Sequence, residues 1–301
     1  MSWSRQWVKL CDVADFADPV LCRLAAEIEG RDGRDSPPQA LVERKQWERA
    51  MLAGVLTESG RLGPNCSVLA IGAGSEPVLF WLANRAGRVV ATDIYGEGKF
   101  SGLEAAESML HNPSAFAPVA YPHERLLVRR MDARTLDFAE ATFDVVYSLS
   151  SIEHFGAAAE IARSAAEMGR VLAPGGLAVV VTECLVRRHP LDSAAAETAI
   201  RLATFGRRRA GAHPRQRVAL GEAFTLHELV ERVVAPSGLR LAQRVDRTIS
   251  PASWENVTTV HAGGRLEPAS GSVHPHVLLR VSRSVFTSIC LVLEKPAGSP
   301  S

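Results

Sequence analysis

The chain has no apolar run near the roughly 18 residues that a membrane-spanning helix needs. Its first ten residues, Met1 to Leu10, lack the hydrophobic stretch of a secretory leader. Both absences point to a cytoplasmic protein without a membrane partner. An excess of one charge is missing too: 34 basic and 33 acidic residues leave a net charge of +1. That balance gives nucleic acid no global attraction. Cysteine is sparse. Cys11, Cys22, Cys66, Cys184 and Cys290 are odd in number and never stand as C-x-x-C. They read as free buried thiols rather than a disulfide framework or a zinc site, and no metal is expected.

Apolar residues are in ordinary supply at 47%, enough for one large core over 301 residues. The chain is organised around Ser67-Val-Leu-Ala-Ile-Gly-Ala-Gly-Ser-Glu-Pro77. This reads as a buried strand, a tight glycine turn and a helix start, with Ser75 as cap. A second strand, Arg88 to Thr92, runs into the acid Asp93. Glycines let a backbone approach a ligand, and an acid about 20 residues on can hold ribose hydroxyls. A nucleoside cofactor is implied.

The alternation continues. Helices are expected over 21–28, 39–62, 78–83, 101–110, 157–172 and 224–234, and further strands over 126–128, 143–149, 177–182, 239–245 and 286–295. Strands alternating with helices at this spacing predict an α/β, doubly wound Rossmann-like sheet of seven mostly parallel strands with an antiparallel last strand, behind an N-terminal helical extension. Residues 1–63 would be that extension. The catalytic domain would span 64–296, with a basic insert at 186–222 and a loop insert at 248–280, and 297–301 would be a tail. The basic insert has no acid between Glu197 and Glu222, yet holds Arg201, Arg207, Arg208, Arg209, Arg215 and Arg217. An anionic small-molecule acceptor would suit it.

A nicotinamide fingerprint needs a third glycine where this chain has Pro77. A Tyr–Lys relay pair at Tyr95 and Lys99 would need a helix that Gly96 and Gly98 oppose. The ordered set Ala70-Ile-Gly72-Ala-Gly74-Ser-Glu76, Asp93, Met131-Asp132-Ala133, Phe143-Asp-Val-Val-Tyr-Ser-Leu149 and Arg170-Val-Leu-Ala-Pro-Gly-Gly176 resembles the class I S-adenosylmethionine-dependent methyltransferases over about residues 64–184. Arg44-Lys-Gln-Trp-Glu48, Ser148-Leu-Ser-Ser-Ile-Glu-His-Phe-Gly156 and His274-Pro-His276 are similar to a narrower bacterial group of the methyltransferase type 11 kind. Some of that group accompany glycan-assembly or secondary-metabolite enzymes.

The resemblance implies S-adenosyl-L-methionine as cofactor, covered by residues 1–63 and held by Gly72, Gly74, Glu76, Asp93, Ile94, Asp132, Ala133, Ser148 and Leu149. Ala70 departs from the family's acid, and Glu76 from its third glycine. Glu76 would supply the missing charge to the methionine ammonium or favour the helix start. His154, with Glu153 beside it, follows the fourth core strand and is the candidate general base. The expected activity is O- or N-methylation of a small molecule: a glycan precursor, a nucleotide-linked sugar or a secondary metabolite. Two alternatives stay open. One is an RNA or other nucleic-acid methyltransferase, disfavoured because Ser148-Leu-Ser-Ser151 replaces an Asn/Asp-Pro-Pro-aromatic run. The other is a cofactor-binding protein without catalysis. The oligomeric state is not set.

Overall fold

The computed structural model describes residues 3–31, 43–98, 101–102, 104–192, 194–205, 207, 222–262, 264–274 and 276–297, with backbone alone at 194 and 197. Arg208, Arg209, Arg215, Arg217, Lys99 and residues 39–42 of the expected second helix lie outside these.

One mixed sheet forms the centre. The chain opens with β1 (Lys9–Leu10), α1 (Pro19–Ile28) and α2 (Arg44–Glu58), then alternates β2 (Ser67–Ile71), α3 (Val78–Ala83), β3 (Arg88–Asp93), β4 (Leu126–Arg130), β5 (Phe143–Leu149), α4 (Ala158–Val171) and β6 (Leu172–Arg187). After α5 (Ala194–Ala203) come β7 (Arg240–Leu241), β8 (Val257–Val260), β9 (Leu266–Glu267), β10 (Leu278–Val281) and β11 (Ser284–Glu294). The order across the sheet is β4-β3-β2-β5-β6-β11-β10-β8-β9, and β1 and β7 also pair with β11. β2, β3, β4, β5 and β6 are mutually parallel, and β11 runs antiparallel to β6. β2, β3 and β5 carry the apolar runs of strands covered on both faces, whereas β4 is an edge strand with exposed side chains.

Among the described residues eleven strands stand where seven were expected. Two of the four extra pieces, β1 and β9, have two residues each and are too short to show a period, while β7 is the strand expected at 239–245, shortened to Arg240–Leu241. β8 and β10 fall in the stretch read as a loop insert, where the β-branched run Val257-Thr-Thr-Val260 was the available signal. They also make β11 an interior strand, buried along its first ten residues. β6 absorbs the Pro174-Gly-Gly176 turn and continues to Arg187 because β11 pairs with it from Val285 to Glu294.

Two local expectations fail for visible reasons. Pro77, not Ser75, occupies the α3 N-cap, and no side chain caps it. Of the helix expected at 101–110, only a 3-10 turn at Glu107–Leu110 forms. Upstream, Gly96 N takes the Ala105 carbonyl at 2.9 Å and folds this segment back over the glycine turn.

A continuous apolar core joins Trp7, Phe16 and Leu21 of the N-terminal part to Val68, Val90, Val146, Val180 and Leu291 of the sheet. Trp7 lies so close to α2 that a Cβ on Gly54 would sit 2.3 Å from its ring. All five cysteines are free and buried. Among the described residues no helix is long and apolar enough to cross a membrane. The chain runs outward from β2 through β3 to β4, then returns to build β5 and β6 on the other side. The crevice above β2 and β5 is therefore the topological switch point, where ligands bind in such sheets.

Candidate active site

The glycine turn leaves β2 at that crevice. Gly72 and Gly74 have φ of +64° and +50°, a region that disfavours any Cβ. A Cβ on Gly72 would also meet the Ser151 Cβ at 2.6 Å. Neighbouring side chains tie the turn: Ser151 Oγ donates to Gly72 O and Tyr95 Oη to Gly74 O, each at 2.7 Å. Asp93, at the end of β3, accepts from Gly74 N at 2.9 Å and from its own following Ile94 N at 2.7 Å. Burial raises the Asp93 carboxyl pKa, and these two N–H bonds oppose the rise. Asp132 is bound by Arg134, which donates to both carboxylate oxygens and holds its pKa low. Arg134 in turn reaches Glu160.

A cleft of about 740 Å³ opens over these groups. Gly72, Gly74, Glu76, Asp93, Ile94, Asp132, Ala133 and Leu149 line it, and so do Glu153 and His154. Ser148 is not part of that lining: its Oγ is buried within the sheet and has no partner, whereas Ser150 and Ser151 line the cleft. Ser148 lies within β5, whereas Ser150 and Ser151 stand past its end, where the chain leaves the sheet at the cleft. Ser150 has φ +43°, a strained value for a non-glycine residue, at the point where β5 ends in the cleft.

Helix α2 covers the crevice with a charged face. Glu48 is fully buried and accepts from Ser150 Oγ at 2.8 Å and from Ser288 Oγ. Burial alone would raise its pKa, but Lys45 and Arg44 hold it below the ordinary value. Arg44 Nη2 bonds Glu183 at 2.9 Å, and its Nη1 is buried without a partner. Arg49 Nε bonds Glu76 Oε2 at 2.6 Å, with Lys45 Nζ at 4.0 Å from the other oxygen. Glu76 therefore ties α2 to the glycine turn, its charge shared between two cations. At Ala70, fully buried, Tyr147 is the register neighbour on β5, with a buried phenol oxygen that has no partner.

Beyond β5 the cleft is acidic. Glu153 is 6% exposed and accepts from Thr182 Oγ1 at 2.8 Å. Burial first, then the Glu183 carboxylate, pushes its pKa up to about 7. His154 Nδ1 lies 3.6 Å from Glu222 Oε1. Trp47 donates to Asp15 at 2.8 Å and His274 packs edge-on against Phe16, so both serve packing outside the cleft. Tyr95 also stays out of it, bound to Gly74 O. Lys45, Glu183 and Glu222 line the cleft but were missed in sequence. Only Glu183, just past the apolar run of β6, had a readable signal.

A glycine cradle, an acid at the second strand end and an acid-plus-backbone edge at Asp132–Ala133 together make a donor set that fits a nucleoside with an amino-acid tail. The fold and this site suit a class I S-adenosylmethionine-dependent methyltransferase. Residues 69–180 match the family model described as a methyltransferase domain. The chain carries that domain, is an enzyme of that class, and takes S-adenosylmethionine as cofactor. Among solved structures it is similar to the YcgJ protein from Bacillus subtilis, at TM-score 0.47 and 16% identity over 81% of this chain and 98% of that one. A SAM-dependent methyltransferase from Methanosarcina mazei has TM-score 0.45 and 18% identity over 79% and 96%. A Haloferax volcanii protein solved with the Trm112 methyltransferase activator has TM-score 0.46 and 18% identity over 94% and 98%. No curated protein matches the chain.

Proposed function

We propose that this chain methylates an oxygen or nitrogen of a small molecule held at the acidic end of the cleft. A glycan precursor, a nucleotide-linked sugar or a secondary metabolite is the acceptor class the sequence resemblance favours. The supporting observation is that one cleft joins the cofactor turn to Glu153, His154, Glu183 and Glu222. S-adenosylmethionine supplies a methyl group already activated on a sulfonium.

The protein's part is alignment and exclusion of water. Asp93 receives the ribose hydroxyls. Asp132 and the Ala133 backbone take the adenine edge, with Ile94 and Leu149 against its faces. α2 closes the crevice, and Glu76, through Arg49, fixes that helix to the turn. His154 and Glu222 border the acceptor at the side.

The carboxylates near the acceptor also weigh against a phosphodiester there, which supports a small molecule over nucleic acid. An anionic part of the acceptor, as the arginine-rich insert suggests, would lie away from them, toward exposed Arg201 and Arg207. Incubation with methyl-labelled S-adenosylmethionine and a panel of phenols, primary amines, sugars, nucleotide sugars and bulk RNA tests this. Label is expected in a small molecule. Label in RNA alone would overturn the reading.

A further inference from the structure

Of the two adjacent candidates after β5, His154 is the residue that sequence reasoning favours as base. The geometry points elsewhere. His154 sits at the side of the cleft with Glu222 3.6 Å from its Nδ1, both side chains 27% exposed. Glu153 lines the same cleft from an almost fully buried position. One of its oxygens is fixed by Thr182 Oγ1, which orients the carboxyl on a rigid strand of the sheet. We propose that Glu153 is the catalytic base, taking the proton from an acceptor hydroxyl or ammonium at the cofactor's methyl. The inference rests on the small-molecule reading above and adds a class of acceptor: one whose attacking atom must shed a proton, not a thioether or a tertiary amine.

The step balances without another reactant. The acceptor proton moves to Glu153, ahead of attack where the acceptor is an ammonium; the lone pair on that oxygen or nitrogen forms the new bond to the methyl carbon, and the methyl–sulfur bond breaks with its pair going to sulfur. The charged groups facing Glu153 are Lys45 on α2, Glu183 beside Thr182 on β6, and His154 on its own turn. Glu183 raises the carboxyl pKa, and His154 lowers it less than burial raises it. A base with its pKa near the working pH combines ionisation with proton affinity.

The test uses the full chain with methyl-labelled S-adenosylmethionine and phenol, benzylamine and glucose as probes, from about pH 6 to about pH 9. Wild-type turnover is expected to rise through about pH 7. Glu153→Gln should lose roughly a hundredfold or more in kcat, with the cofactor KM held within about threefold. Glu153→Asp should keep part of the rate. Transfer by wild type with an unchanged kcat in Glu153→Gln, or a loss confined to the cofactor KM, overturns the base assignment alone. Cofactor binding without transfer to any probe overturns the small-molecule reading and this inference with it. Should Glu153→Gln not fold, wild-type protein with carboxyl-labelled glutamate and bound S-adenosylhomocysteine decides. One resonance titrating near pH 7 is expected, and its absence refutes the assignment.

Discussion

Glu153 makes a stability prediction that needs no acceptor. Its carboxyl moves from an ordinary 4.5 to about 7 on folding, because burial and the Glu183 carboxylate disfavour its ionised form. The folded protein therefore holds this proton more tightly than the unfolded chain does. Stability from the neutral carboxyl is complete below about pH 4.5 and is lost as pH rises through about 7. The shift corresponds to about 3 kcal/mol at its limit, at 1.36 kcal/mol per unit. Between about pH 5 and pH 8 wild type should lose about 2 to 3 kcal/mol through this group. Gln does not titrate and can still accept from Thr182. Glu153→Gln should thus become more stable relative to wild type by that amount over the same interval, while losing activity. Urea unfolding of both proteins at the two pH values, without cofactor, measures the gap. The melting point of the variant at pH 8 should stand several degrees higher. A gap that does not change with pH would refute the assigned burial and charge environment.

Other perturbations follow from the turn and its cover. Gly72→Ala places a Cβ against Ser151 in a left-handed backbone, and should cost about 1–2 kcal/mol of stability as well as cofactor affinity; thermal melts and calorimetry with S-adenosylhomocysteine read both. Asp93→Asn replaces an acceptor that faces two N–H groups, and should weaken cofactor binding by about 1–3 kcal/mol. A double-mutant cycle of Arg49→Met with Glu76→Gln should show coupling of about 1 kcal/mol in cofactor binding, because the pair ties α2 to the turn. Additive effects would mean that Glu76 acts alone.

Much of the site was legible in the sequence because it sits on the parallel half of the sheet. Gly72, Gly74 and Asp93 follow the apolar runs of β2 and β3, and Asp132 follows the shorter Leu126-Leu-Val128; hydrophobic patterning locates such strand ends well. Glu48 was not legible: a charged residue in a helix reads as solvated, and only Ser150 and Ser288, brought to it from distant segments beside Lys45 of its own helix, explain its burial. Glu222 stands far along the chain from His154, and nothing local ties the two. Ser148 lies inside β5, and the two serines that line the cleft follow the end of that strand, a boundary that local pattern does not fix to the residue. The extra strands were hidden because β8 and β10 depend on pairing with each other and with β11, which local propensity does not reveal.

The central claim is that the crevice above β2 and β5 seats S-adenosylmethionine with its sulfur toward Glu153 and His154. A crystal structure with S-adenosylhomocysteine tests it directly. The account predicts ribose hydroxyls on Asp93, the adenine edge at Asp132 and Ala133, and the sulfur facing the acidic end of the cleft. A nucleoside bound elsewhere, or a sulfur turned away from Glu153 and His154, would contradict it.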